Sequence, residues 1–458
     1  MTLVWLTHSL RRHDNPALAV ARDEPALLIL DPAPPLPERS GAWRARSLRL
    51  FLAEAEAAGR PVLDARRLDA AAWDALRGLD PRREVQLDLG DPAAAAAART
   101  RLVVAGLTPI LHEPGLCPQP ELLIGPAGRL PRSFSAFQRL FVSRVEISAP
   151  RPEPDQHPWL GALPAELANY RLRLADLPAA PALPAGNWQP GEAAALARLQ
   201  AFREADWPAD PAAWERADGG GSSFLSPWLA RGELGPRTVW QALDEEARDP
   251  ARAARARSLQ RQLIWREYAL ALLREHPDLA WEPVAPAWRD FPRRPDAARL
   301  AAWRAGRTGI PIVDAAQRQL YAEGWIHNRL RMMTGTWLVK QLGQPWTDGL
   351  KVFEEWLVDW DPALNAMNWQ WCAGCGVDAQ PWFRLFSPER QAERADPDGR
   401  LLRRWLPELN SLSLETARRA WTLTPLERAA TGYPAAQPDP VQGRQEALAA
   451  WERFRARP

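Results

Sequence analysis

The sequence predicts a protein of two parts, a parallel α/β domain followed by a mostly helical domain. Short apolar runs alternate with helix-like segments in residues 1–125, as in a parallel sheet covered by helices. From about residue 191 onward the pattern is helical, and no β-rich run interrupts it. Proline is frequent between these parts, so residues 126–195 are expected to be a long connector. The helical domain then covers residues 196–458.

The elements of the first domain rest on local signals. Asp14 or Asn15 offers a helix N-cap, and Pro16 suits the first helical position. A further helix fits residues 42–58, where Gly59 ends it. Five buried strands are expected, at residues 3–6, 26–30, 61–63, 84–89 and 108–111.

The second domain shows the period of amphipathic helices. Helices are expected at residues 191–205, 237–248, 259–275, 297–305, 312–323, 326–342 and 352–360.

The composition excludes several classes of protein. With 46% hydrophobic and 25% charged residues, the chain can bury a large core and is not a disordered protein. The 58 basic and 56 acidic residues nearly balance, so a nucleic-acid site would have to be a local patch. No signal pattern is visible, and no apolar run reaches about 18 residues. We therefore expect a cytoplasmic protein that does not associate with membranes.

Cysteine usage points away from metal and redox chemistry. Three cysteines do not make a secreted disulfide scaffold. Cys372 and Cys375 have the CxxC spacing, but no second pair exists to complete a four-thiolate site. Ordinary packing is the favoured interpretation of this pair.

A glycine- and serine-rich segment at residues 219–227 precedes a predicted helix. Ser226 would be the N-cap and Pro227 the first helical residue. Free N–H groups, hydroxyls and the positive end of a helix suit a phosphate. The plainer interpretation, a flexible turn with a good cap, is favoured by this segment alone.

Two helices could present polar side chains to a ligand. Gln262, Trp265 and Arg266 fall at i, i+3 and i+4 of one helix, and Asn328, Arg331 and Met332 do so on another. The alternative is amphipathic helices whose large residues belong to the core. His327 is more often a satisfied histidine than a base.

The most unusual stretch is residues 359–371, where two carboxylates, several amides and three tryptophans stand together. Paired acids can bind a metal, exchange protons, or accept from ring N–H and ribose groups. No cysteine–histidine cluster of suitable spacing lies nearby, which disfavours a metal. A solvated acidic loop would not need three tryptophans around it.

These segments, taken together and in order, resemble the photolyase/cryptochrome family. The motifs stand at residues 4–18, 222–227, 263–267, 306–316, 325–332, 368–371 and 403–408, so the resemblance covers nearly the whole chain. Several motifs in one order are far more specific than any single one. Class I cyclobutane pyrimidine dimer photolyases are the members that the chain resembles most.

The resemblance implies a fold and a chemistry. The N-terminal domain would be Rossmann-like, and the helical domain would bind FAD and the DNA lesion. In photolyases, light-excited reduced FAD donates an electron to a pyrimidine dimer, which is flipped out of the duplex and split. The partner would be UV-damaged DNA, and we expect a monomer without an obligatory protein partner. A second antenna chromophore of unknown identity is left open, because residues 7–9 and 88–95 depart from the usual antenna segments.

The resemblance also implies residue roles toward the cofactor. Asp361 would accept from the flavin N3–H, Asp359 would pair with Arg331, and Asn365 would face flavin N5. Trp303, Trp346 and Trp369 would relay electrons from the surface to the flavin. The implied cofactor-binding residues are Ser222, Ser223, Phe224, Leu225, Ser226, Arg331, Asp359, Trp360, Asp361 and Asn365.

Toward DNA, Trp265 and Trp371 would form an apolar wedge around the flipped dimer, while Arg329 and Arg384 would contact phosphates. The implied substrate-binding residues are Gln262, Trp265, Arg266, Asn328, Arg329, Met332, Trp371, Arg384 and Gln391.

Two departures from the family pattern leave alternatives open. Gln262 replaces the usual Glu of cyclobutane-dimer enzymes and is typical of (6-4) photolyases, whereas Asn328 and Met332 are the cyclobutane-type pair. A cryptochrome-like photoreceptor without repair is the other alternative.

The usual Tyr upstream of the phosphate loop is missing, and Trp207 or Trp214 would replace it.

Overall fold

Five parallel strands form one sheet at the start of the chain. The computed structural model describes residues 1–21, 24–31, 36–90, 92–151, 160–218 and 220–456. The strand order is β3-β2-β1-β4-β5, and Val4 of the central strand lies beside Leu28 and Gln86. The five predicted strands are confirmed, with each boundary moved by no more than one residue. The strands are β1 (Thr2–Leu6), β2 (Ala26–Leu30), β3 (Val62–Asp64), β4 (Glu84–Asp88) and β5 (Thr108–His112).

Among the described residues, α-helices make three of the four connections between successive strands, as is usual for parallel pairing. They are α1 (Glu38–Ala57), α2 (Ala70–Leu79) and α3 (Pro92–Val104). The helix predicted after Pro16 is wrong, because only a short 3₁₀ turn forms at Leu18–Ala21. Asn15 accepts from the backbone N–H groups of Ala17 and Leu18, so it stabilises a turn instead.

The connector contains a regular element that its proline content obscured. Helix α4 (Phe134–Arg144) begins after Ser133, whose hydroxyl accepts from the Ala136 N–H. No helix was predicted in this part of the connector. Pro152, Pro154 and Pro158 lie outside the described residues, as do Asp91 of the predicted antenna segment and Gly219 of the predicted phosphate loop.

The rest of the described chain is helical, as predicted, but several bounds differ, and the helix expected at 259–275 begins at Pro250. The helix expected at 326–342 begins at Asn328 and changes to a π-helical turn at Trp337–Gln341. The helix expected at 352–360 begins earlier and ends earlier, and the one at 362–373 was not predicted. The helices are α5 (Glu192–Glu204), α6 (Ser226–Ala230), α7 (Pro236–Glu246), α8 (Pro250–Glu275), α9 (Ala297–Arg304), α10 (Pro311–Glu323), α11 (Asn328–Thr336), α12 (Trp346–Trp356), α13 (Pro362–Ala373), α14 (Pro388–Ala395), α15 (Arg400–Trp405), α16 (Leu414–Arg418), α17 (Pro425–Thr431) and α18 (Pro440–Arg455).

Three apolar cores follow from this layout. Alternate residues of β1 separate to the two faces of the sheet, with Leu3 and Trp5 in one core and Val4 and Leu6 in the other. The third and largest core lies among the helices around α8, which packs on α7, α13 and α4. In the described part of the chain, every helix is too short or too polar to cross a membrane.

A buried ion pair joins the sheet region to the helical region. The Arg237 guanidinium of α7 donates to Asp14 Oδ1 from Nε at 2.8 Å and lies 2.7 Å away through Nη2. Asp14 is fully buried and its backbone is left-handed, with φ +53°. Removing one member of such a pair leaves an uncompensated buried charge.

We expect Asp14→Asn to lower the free energy of unfolding by about 3–5 kcal/mol, because Arg237 loses its counter-charge. Asparagine tolerates the left-handed backbone, so the change isolates the charge. Urea unfolding of the holoprotein measures the effect. The control is Glu282→Gln, which removes an exposed partner of Arg289 at 2.7 Å and should cost less than about 1 kcal/mol. Equal losses for the two variants would contradict the prediction.

Candidate flavin and lesion site

The predicted phosphate loop is a fixed turn before α6. Arg198 donates from Nε to the Ser223 carbonyl at 2.8 Å, and its guanidinium lies 5.2 Å from the Phe224 ring. Phe224 has a left-handed backbone, φ +57°, which is uncommon outside glycine. The predicted N-cap is wrong, because Ser226 is the first residue of α6 and its hydroxyl accepts from Trp325 Nε1 at 3.1 Å.

Trp214 lies against this loop, whereas Trp207 does not. A side chain at Gly221 would come within 3.0 Å of the Trp214 backbone. The buried Arg255 donates to the Gly221 carbonyl and stacks 5.0 Å from the Trp214 ring. Trp207 instead stacks on Phe202 at 4.8 Å. Sequence reasoning missed Arg255, because its contact with the loop lies 34 residues away in sequence.

The acidic stretch before α13 contains an ion pair and unsatisfied polar atoms. Arg331 donates from Nη2 to Asp359 Oδ2 at 2.8 Å, which confirms that these two residues pair. The other carboxylate oxygen, Asp359 Oδ1, is buried and lacks a hydrogen-bond partner within the described ranges. The same holds for Trp360 Nε1. The Trp360 carbonyl accepts from Arg231.

Asp361 and Asn365 are oriented by the start of α13. Asp361 Oδ1 accepts from the backbone N–H groups of Ala363 and Leu364, both at 2.9 Å, so Asp361 is the N-cap. Asn365 is buried and donates from Nδ2 to the Leu350 carbonyl at 3.1 Å. That bond assigns the amide orientation and turns the Asn365 carbonyl oxygen away from Leu350.

Helix α11 presents two different faces. Asn328 and Met332 lie together on one of them, with Asn328 Nδ2 at 3.7 Å from the Met332 sulfur. Arg331 does not join them, contrary to prediction, because it turns to Asp359 on the inner side. His327 caps the helix through Nδ1, and burial lowers its pKa to about 4, so the structural interpretation of this histidine fits.

Helix α8 divides in the same way. Gln262 is exposed, and the half-buried Trp265 stacks on Phe134 with ring centroids 3.7 Å apart and planes within 3°. Arg266, which was predicted on the same face, lies toward α6, with Nη2 3.5 Å from the Leu229 carbonyl. Its buried Nε lacks a partner among the described residues.

The remaining residues that were predicted to contact DNA differ in how exposed their side chains are. Arg384 is exposed, whereas Arg329 pairs with Glu215 and keeps only 17% of its side chain exposed. Trp371 and Gln391 are half-buried. The segment that carries Arg384 is held by Lys340, a fully buried residue that sequence reasoning missed. Its ammonium donates to Gln380 Oε1 at 3.3 Å and to the carbonyls of Pro381 and Arg384 at 3.1 and 3.2 Å.

The three tryptophans assigned to electron relay are all buried. Trp303, Trp346 and Trp369 are 0%, 2% and 3% exposed. The rings of Trp303 and Trp369 lie 6.2 Å apart and nearly perpendicular. Trp346 begins α12, whose Gly349 lies directly against the Trp369 ring. The relay was expected to begin at the surface, whereas all three of its proposed indoles are buried.

The two segments that depart from the family's antenna pattern are joined to each other. Asp88 accepts from the backbone N–H groups of His8, Ser9 and Gly90 and from the Ser9 hydroxyl. His8 is packed so closely that a side chain at Gly90 or Gly232 would collide with its ring. Burial and the nearby guanidinium of Arg231 hold the pKa of His8 well below its ordinary value.

Comparisons with known proteins agree with this arrangement. Residues 258–453 match the family model described as the FAD binding domain of DNA photolyase, so this region is a flavin-binding domain. The chain is 37% identical over 443 residues to a deoxyribodipyrimidine photo-lyase of Thermus thermophilus, covering 92% of this chain and 97% of the relative. It is 33% identical over 489 residues to the one of Agrobacterium fabrum, covering 98% and 97%. The chain therefore belongs to the photolyase/cryptochrome family.

Solved structures show the same fold. A bacterial class III photolyase from Agrobacterium tumefaciens is 30% identical with a TM-score of 0.83, covering 100% of this chain and 98% of that one. A Synechocystis cryptochrome is 26% identical with a TM-score of 0.80, covering 98% and 99%. Proteins described as a photolyase and as a cryptochrome therefore share this architecture.

The site residues fit a bound flavin. Buried polar atoms are normally hydrogen-bonded, so unsatisfied ones indicate a missing partner. Asp359 Oδ1 supplies an acceptor, while Trp360 Nε1 and Arg266 Nε supply donors. FAD carries ring N–H groups, which can donate to such an acceptor, and anionic phosphates, which can accept from such donors.

The CxxC thiols should be inert in the folded protein. Cys372 and Cys375 are buried free thiols, and burial raises the pKa of Cys372 to about 11 and that of Cys375 to about 12. Burial also raises the pKa of Cys117 to about 11. An aromatic disulfide reagent at pH 8 should therefore react with none of the three cysteines in the native protein and with all three in denaturant. A fast reaction of Cys372 or Cys375 in the native protein would contradict this prediction and would indicate a redox role for the pair.

Proposed function

We propose that the protein is a light-driven DNA repair enzyme that splits cyclobutane pyrimidine dimers. The observation that carries the proposal is the division of α11 into two faces. Arg331 reaches inward to Asp359, which would be the flavin side, while Asn328 and Met332 stand together on a neighbouring side of the helix. One helix thus connects the cofactor with the surface on which a flipped base would rest.

The flavin would be held by the residues around the two aspartates and by the phosphate loop. When bound and reduced, FAD supplies the light-excited electron that splits the dimer. Asp359 and Asp361 would accept from ring N–H groups, and the Asn365 carbonyl oxygen would face flavin N5. Ser222, Ser223 and Leu225 would bind the phosphates. We propose the division into residues 1–125, 126–195 and 196–458 on the same grounds.

The lesion would lie between aromatic walls. Trp265 and Trp371 are both half-buried, as expected for side chains that are exposed on one side only. Gln262 would hydrogen-bond a base edge through its amide, and the exposed Arg384 would contact a phosphate. Arg329 would do so only after leaving Glu215. Arg266 fits the flavin phosphates better than DNA, since it lies beside α6.

A specific observation supports each of two alternative functions. A photoreceptor without repair is favoured by the cryptochrome among the similar structures. A (6-4) photolyase is favoured by Gln262, whose amide cannot supply a proton or a charge to the lesion. Asn328 and Met332 argue against the second alternative, because (6-4) photolyases have histidines at the two matching positions. We further propose a cytoplasmic monomer that acts on UV-damaged DNA without an obligatory protein partner.

The reduced protein should repair a cyclobutane dimer in an oligonucleotide under blue or near-UV light and leave a (6-4) photoproduct unchanged. Repair is measured by recovery of the restriction site or absorbance that each lesion destroys. A dark sample is the control. Repair of the (6-4) lesion alone would establish the second alternative, and repair of neither lesion would favour the photoreceptor.

Trp265→Ala should weaken binding to dimer-containing DNA about tenfold or more, because a base loses its stacking partner. Bound FAD should stay at the wild-type ratio. The matched control is Trp281→Ala, since Trp281 is 66% exposed and lies outside the site. Fluorescence anisotropy and the flavin absorbance measure the two properties. Loss of flavin from Trp265→Ala would contradict the role assigned to this indole.

A further inference from the structure

Helix α4 of the connector packs on α8 through matched pairs of aromatic rings. Phe134 stacks on Trp265 with centroids 3.7 Å apart and planes within 3°. Phe137 stacks on Tyr268 at 4.4 Å and 26°. The partners are spaced by three residues on both helices, so they occupy successive turns. The two pairs fix α4 against α8 in one register.

Stacking on Phe134 fixes the plane of the Trp265 indole. Phe134 is 1% exposed and the Arg261 guanidinium lies 5.1 Å from its ring centroid, so Phe134 cannot move aside easily. An indole at a half-exposed position would otherwise sample several rotamers. With one face covered by Phe134, the opposite face is the one that can receive a base.

The chain just before Phe134 also reaches the other side of the predicted lesion pocket. The Tyr268 hydroxyl donates to the Pro131 carbonyl at 2.5 Å. The Arg132 carbonyl accepts from the Asp378 N–H at 3.0 Å, in the segment that follows Trp371 and α13. Residues 131–134 therefore contact both α8 and the segment after α13.

We propose that Phe134 is a positioning residue for DNA repair, which acts by holding the Trp265 indole in the plane that stacks on the lesion. The connector segment 131–134 is then a structural part of the lesion pocket. This inference rests on the proposed function, because it needs Trp265 to contact the lesion.

The test compares Phe134→Leu with Phe141→Leu in the FAD-bound protein. Phe141 is on the same helix and equally buried at 1%, and its ring pairs with Phe137 at 6.2 Å. Phe134→Leu should raise the Kd and KM for dimer-containing DNA about five- to tenfold, the usual worth of an aromatic pair. The kcat at saturating DNA, the flavin content and the affinity for undamaged DNA should stay unchanged. Phe141→Leu should leave all of these unchanged.

A double variant separates positioning from general loosening. If Phe134 acts through Trp265, then Phe134→Leu should have no further effect on lesion affinity in the Trp265→Ala background. Phe134→Met, which nearly keeps the volume but not the flat face, repeats the test if the leucine variant is unstable. Additive losses, equal losses for positions 134 and 141, or an unchanged Kd for Phe134→Leu would each overturn the inference. An unchanged Kd for Trp265→Ala itself would overturn the lesion-binding role of Trp265 and this inference with it, whereas the proposed function would fall only if the protein repaired no cyclobutane dimer.

Discussion

The capping of α13 by Asp361 sets the arrangement of the whole site. One carboxylate oxygen accepts from two backbone N–H groups, and Pro362 follows at a position where proline favours a helix start. This fixes where the helix begins and therefore which way each later side chain points. Asn365 and Trp369, four residues apart, share the buried side, whereas Trp371 is turned toward partial exposure. A shift of the helix start by one residue would rotate all three by about 100°.

On two other helices, α11 and α8, residues with different proposed roles lie on different sides. On α11 the inner side carries Arg331 and the outer side Asn328 and Met332. On α8, Arg266 lies toward α6, while Trp265 stacks on Phe134 of α4 and Gln262 is exposed. Under the proposed function, the same short motif thus carries residues for two ligands, so a motif alone does not say which residue serves which ligand.

The sequence predicts most elements that have strong local signals, and it does not predict contacts between residues that are distant in the sequence. All five strands are found, because each is a short apolar run bounded by turn residues. Helix α4 was not predicted, because the prolines on either side of it obscured the Ser133 cap. Helix α13 was not predicted either, although Asp361 and Pro362 are a typical start of a helix. The Arg331–Asp359 pair was expected from family resemblance, whereas Glu215 beside Arg329 and Phe134 beneath Trp265 join residues more than 100 positions apart. No local pattern encodes such contacts.

Lysine is almost absent from the chain, and the structure divides its two lysines sharply. Lys340 is fully buried among carbonyl oxygens, and burial lowers its pKa to about 8, while Lys351 on α12 is exposed. Arginine supplies every other basic side chain and does not react with amine-directed reagents. Attachment through amines would therefore be confined to Lys351 and the chain's amino terminus. A surface coated with active esters would hold the molecules in few orientations, which favours single-molecule observation of repair.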